Sequence, residues 1–226
     1  MIGGALALNV KLTPRRVGLV MGFGSGVLIS AVAFELFEQA AAKTDSNAHI
    51  VGIFAGSATF FVGDWLIDRM GGEHRKSMQP AAGGVALAIV LGIVLDGIPE
   101  SAVIGLDLHG GEGVGAAFLV AVFLSNLPEA AGATTGLAAS GWSARRIYGL
   151  WFLVALVAGL ASALGYAIAG AAGTEVYAFI LAFAAGAILT MLADTMMPEA
   201  FEHGGKLVGL MTTLGFGLAF ALTLLE

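Results

Sequence analysis

Two short polar phrases interrupt otherwise apolar sequence near the middle of the chain. The first reads Asp96-Gly97-Ile98-Pro99-Glu100-Ser101-Ala102 and the second Ser125-Asn126-Leu127-Pro128-Glu129-Ala130-Ala131. Asp96 and Glu100 are four residues apart, so a helix sets both carboxylates on one face. Ser125 and Glu129 repeat that spacing, with Asn126 a small rotation away. Pro99 and Pro128 lack an N–H and so free carbonyls about one turn back, near Leu95 and Leu124. Freed carbonyls at membrane depth are tolerated where they line a cavity or bind ions. Carboxylates, a hydroxyl, an amide and carbonyls together make the oxygen-rich inventory of a cation site.

These phrases need helices to carry them, and the composition says which kind. The chain of 226 residues is 58% hydrophobic and 12% charged, with a mean hydropathy of +0.92, where a soluble domain is about a quarter charged. It reads as an all-α polytopic membrane protein, one transport domain over residues 1–226 with a cytoplasmic loop over 68–82. Abundant glycine (34 residues) suits close packing of membrane helices through small side chains. The absence of cysteine excludes a disulfide framework and a thiolate metal site. Seven apolar runs approach the roughly 20 residues a bilayer core requires: about 17–38, 50–67, 84–106, 114–138, 147–171, 176–197 and 207–225. Before them, Ile2–Val10 is apolar but only about 14 Å long as a helix, so it is an interfacial stub or a truncated first helix. A charged side chain in the bilayer centre costs roughly 2.5–3.5 kcal/mol on insertion scales. No lysine or arginine lies deep in any run to neutralise Asp96, Glu100 or Glu129, so a divalent cation or protons must. Protonated, hydrogen-bonded fillers are the plain alternative, but two Pro-Glu copies at aligned depth speak against it.

Orientation is read from the loops. Lys11, Arg15, Arg16, Arg69, Arg75, Lys76, Arg145, Arg146 and Lys206 all fall on one side of the membrane, leaving only Lys43 of the ten basic residues on the other. Positive charge collects inside, so that side is cytoplasmic and the C-terminus faces out. Two internal repeats are visible. Phe23–Ser30 resembles Phe183–Thr190 at an offset of 160, between spans that cross in opposite directions, as in inverted-repeat transporters. The two Pro-Glu phrases repeat at an offset of 29. The implied plan is three helices, two central ones, then three.

On these residues the chain resembles the ZIP family of divalent-metal transporters, whose fourth and fifth helices bear His-Asn-x-Pro-Glu-Gly and a related x-x-x-Pro-Glu phrase. The resemblance covers essentially the whole chain and implies an eight-helix 3+2+3 bundle, its first helix truncated here. It further implies that Glu100 and Glu129 are metal ligands, Glu129 a candidate bridge between two metals, with Ser125 and Asn126 at positions that often hold polar ligands. Asp96 stands where the family usually has histidine, Gly97 where it has asparagine and Ser101 where it has glycine. The result is an all-oxygen site, suited to harder cations than a histidine-bearing one, and Gly97 removes a ligand from the neighbouring second position. The metal set is therefore Asp96, Glu100, Ser125, Asn126 and Glu129. The resemblance implies zinc, the family default, as the transported ion, with manganese or iron as alternatives and no cofactor. The implied role is a secondary importer in the plasma (inner) membrane, with lipid around it, no nucleic-acid partner, and the homodimeric pairing common in the family.

Other residues invite weaker readings. Glu35 and Glu38 sit at the outer end of the first full span. Asp194, Glu199, Glu202 and His203 approach the cytoplasmic end of the sixth, where Glu199 and His203 have the spacing of an exit pair. Asp64 lies near the cytoplasmic end of the second. His109 is expected on an outer loop with Asp107 and Glu112, and Trp65, Trp142 and Trp151 as interfacial anchors. The chain carries no Walker loop to couple ATP. Phe61-Val62-Gly63-Asp64 lacks the first glycine of a Gly-x-Gly-Asp aspartyl-protease signature, and Gly24-Ser25-Gly26 has no intramembrane histidine to serve it, so no enzyme is expected. A proton- or sodium-coupled carrier of another substrate is the competing reading.

Overall fold

The computed structural model describes residues 1–72, 85–110, 115–171 and 173–225. Among them every regular element is helical, and the chain is an all-α polytopic membrane protein. Lipid offers a backbone no hydrogen-bond partners, so each crossing segment must satisfy its own, and a helix does so. We number eight helices: α1 (Ile2–Asn9), α2 (Pro14–Lys43), α3 (Ala48–Gly71), α4 (Val85–Gly110), α5 (Ala116–Ala139), α6 (Ala144–Ala171), α7 (Thr174–Gly204) and α8 (Leu207–Thr223). Segments of α2, α3, α4, α6 and α7 are long and apolar enough to cross a membrane. Each of the seven apolar runs overlaps one of the helices α2 to α8 over nearly all of its described residues.

Local sequence sets the helix ends. Thr13 accepts from the Arg16 N–H at 3.4 Å with Pro14 at the first helical position, and Ser143 accepts from the Arg146 N–H at 3.4 Å. Both are side-chain caps on otherwise orphaned donors. Gly71 and Gly141 take positive φ, 94° and 85°, at or just beyond the ends of α3 and α5, where a side chain would be strained. The connection expected to begin at Asp68 instead starts as a wide helical turn over Asp68–Gly72. His74, Arg75, Lys76 and Pro80 lie outside the described residues, as does Glu112.

Two π-helical turns interrupt long helices at matching places: Val32–Phe37 in α2 and Leu192–Met196 in α7. Pro14 and Thr174, where the two helices begin, are also 160 apart. The extra residue of a π turn rotates the helix beyond it and re-aims side chains, here burying Glu35 in one turn and Thr195 in the other. The principal packing partners share the pattern: α2 lies on α8 as α7 lies on α3, and α1 lies on α5 as α6 lies on α4. Gly26 meets the Thr212 carbonyl, and Gly186, 160 residues on, meets the Ile53 carbonyl. At both, a Cβ would strike backbone, so glycine is what lets the helices touch.

The main core joins α2, α4, α5 and α7 through Met21, Leu28, Leu36, Val103, Phe118, Leu181, Ile188 and Met191. A second cluster of Ala130, Ala133, Leu137, Ile147, Leu150 and Trp151 ties α5 to α6. Trp151 corrects an expectation: it is only 5% exposed, and its indole N–H donates to Thr134 Oγ1 at 2.8 Å. It is a core residue, because Gly4 and Thr134 make room and a partner for the indole. Trp65 and Trp142 instead carry stacked guanidinium groups, Arg69 and Arg146, each 3.6 Å from its ring. His109 is likewise not on a loop: it sits in the last turn of α4, edge-on to the Tyr166 ring.

Candidate metal centre

α4 and α5 run unbroken through Pro99 and Pro128 and so carry both phrases as helical surface. Asp96 and Glu100 are each 3% exposed, Ser125 1% and Glu129 9%. Asn126 is part-buried. A hydrogen bond joins the two phrases. Asn126 donates through Nδ2 to Glu100 Oε2 at 2.6 Å, and the same nitrogen donates to the Val122 carbonyl at 2.8 Å. Ser125 donates its hydroxyl proton to the Val122 carbonyl at 3.0 Å, a bond that uses its hydrogen and keeps its oxygen an acceptor. The chemistry on offer is oxygen donation at low dielectric, where a cation and carboxylates attract strongly.

Neighbouring helices hold this surface in place. Gly24 of α2 sits directly on the second phrase: a Cβ there would lie 3.0 Å from Ser125 Cα and 3.2 Å from the Leu124 carbonyl oxygen. The carbonyl that Pro128 frees therefore looks toward α2. On α4, Leu95 packs against Gly63 of α3. A Cβ added at Gly97 would meet nothing within 4 Å, so crowding does not demand glycine there. Among the described residues, no three acidic or histidine side chains converge tightly enough to form a metal-ligand group. Glu100 and Asn126 are brought together directly, whereas Asp96 and Glu129 do not close a three-acid cage with Glu100.

The outlying acids are placed more diversely. Glu35, Asp64 and Glu199 are each 6% exposed, buried polar residues of α2, α3 and α7. Asp194 is exposed beside a groove lined by Phe54, Ser57, Phe61 and Thr190, and it lies within electrostatic reach of Asp64. Across that groove Thr190 donates to Ser57 at 2.7 Å. Among the described residues, no hydrogen-bond partner reaches the buried His203 Nε2. Gly24 is the contributor that the chemistry of the sequence did not single out, although it stands inside the repeated Phe23–Ser30 segment.

No family model matches the chain. Its sequence is nonetheless similar to that of a known protein over most of its length. A protein of Arabidopsis thaliana named "Putative zinc transporter" is 24% identical to it over 205 residues, 89% of this chain and 33% of that protein. The chain thus spans about a third of its relative's length.

Proposed function

We propose that the protein is a secondary transporter of the ZIP type that carries a divalent transition metal into the cytoplasm through a site between α4 and α5. Glu100 and Glu129 are its principal ligands, with Asp96, Ser125 and Asn126 completing the polar surface. The observation that carries this reading is the hydrogen bond from Asn126 to Glu100, which links the two Pro-Glu helices where their buried carboxylates lie. The zinc-transporter name of the Arabidopsis relative favours zinc, while an oxygen-only donor set favours a harder cation such as manganese.

The matched π turns and the matched helix pairings support an inverted repeat, α1–α3 against α6–α8 around the central pair. Rocking of such halves about a fixed midplane site alternates access between the two faces. The stacked Trp65–Arg69 and Trp142–Arg146 pairs sit where a cytoplasmic interface would hold them. Small-residue faces leave room for a homodimer. The direct test is uptake of radioactive zinc and manganese by proteoliposomes holding the purified chain. Wild type should accumulate metal, and Glu100→Gln and Glu129→Gln should fall to the protein-free leak. Uptake by both variants at the wild-type rate would refute the site, and sodium- or proton-driven flux with no metal uptake would favour the carrier reading.

A further inference from the structure

The amide of Asn126 has its orientation dictated by its neighbours. Nδ2 contacts Glu100 Oε2 at 2.6 Å and the Val122 carbonyl oxygen at 2.8 Å. An ionised carboxylate and a carbonyl only accept hydrogen bonds, so the group facing both must be the NH2. Flipping the amide would set its oxygen against two other oxygens. The amide nitrogen cannot itself bind a metal, because its lone pair is delocalised into the carbonyl. In this orientation Asn126 is a donor to the carboxylate and not a competitor for the cation.

We propose that Asn126 is a positioning residue: its bond to Oε2 orients the Glu100 carboxylate across the helix interface and favours coordination of a divalent cation through one carboxylate oxygen over chelation by both. The inference rests on the site proposed above and assigns one of its residues a different task from ligation. It also bears on specificity. Calcium takes six to eight oxygens and readily uses both oxygens of one carboxylate. A glutamate biased toward one-oxygen coordination disfavours calcium relative to zinc, which accepts fewer ligands. Charge-assisted hydrogen bonds of this kind are the stronger ones in proteins.

The chain has just three asparagines, Asn9, Asn47 and Asn126, and only the last lies within an apolar span. Asparagine-selective nitrogen labelling of the full chain in detergent therefore yields three side-chain amide proton pairs, with that of Asn126 identified by its loss in Asn126→Leu. We expect one Asn126 proton to be strongly deshielded, to lose that shift in Glu100→Ala, and to keep it at saturating zinc. Loss of the shift when zinc binds would mean that the amide flips to become a ligand, which overturns the proposal. Calorimetry supplies the second readout. Asn126→Leu should weaken zinc binding on the order of tenfold, as for one hydrogen bond to a charged group, and raise calcium affinity relative to zinc. Asn126→Ala carries the same comparison should the leucine variant not fold. A zinc-binding loss as complete as that of Glu129→Gln, with no gain for calcium, would contradict a positioning role. If Glu129→Gln itself binds zinc like wild type, the site reading fails instead, while the metal-free amide shift still reports the contact between Asn126 and Glu100.

Discussion

At the scale of single residues, the protein separates polar groups that hold structure from those that face the site. Trp151 and Thr134 belong to the first kind: both are buried and bonded to each other at 2.8 Å. Trp151→Phe should lower stability by about 1 kcal/mol, and Thr134→Val should add little more once the indole N–H is gone, since a shared bond is lost only once. Thermal unfolding of the single and double variants in detergent checks the coupling; full additivity would mean the bond contributes nothing. Gly97 stands between Asp96 and Glu100 on the helix that carries the first phrase. Because nothing crowds its Cβ position, Gly97→Asn should fold with an unchanged melting temperature and increase the number of zinc ions bound per chain. An unchanged metal count would show that the amide does not rebuild a second position there.

At the scale of helices, small residues decide the contacts. Gly26 and Gly186 each meet a carbonyl of the neighbouring helix, at places 160 residues apart. Gly26→Leu and Gly186→Leu should each destabilise by roughly 1–3 kcal/mol or more, since overpacking displaces backbone, and by similar amounts if the two halves are equivalent. Strongly unequal losses would argue that the repeat is one of letters alone. The span pattern was legible because lipid enforces long apolar helices. The π turns were not, since Val32–Phe37 and Leu192–Met196 carry no residue type that demands an extra residue in the turn. Trp151 was misread for a related reason. An aromatic near a helix end has interfacial and core solutions of equal local merit, and only the room left by Gly4 on another helix selects between them. The Pro-Glu phrases told which helices would carry the polar surface, but not that Asn126 would bind Glu100 in place of closing a cage of acids.

At the scale of the whole molecule, the charge asymmetry of the loops, nine basic residues against one, argues for a cytoplasmic face at the Lys11 and Arg145 ends of the helices. With no native cysteine, single cysteines report this cleanly. In intact cells an impermeant maleimide should label Asp45→Cys, between α2 and α3, and leave Ser143→Cys, between α5 and α6, unlabelled until the membrane is broken. The opposite result would invert the topology and with it the direction of transport.

Equilibrium zinc binding to the purified chain, with Glu100→Gln and Glu129→Gln measured beside it, bears most directly on the site between α4 and α5. Wild type should bind zinc at one principal position, and each substitution should weaken that binding at least a hundredfold, about 2.7 kcal/mol at 1.36 kcal/mol per decade, while leaving the helical spectrum unchanged. Wild-type affinity in both variants would contradict the assignment and move the search to Glu35, Asp64 and Glu199.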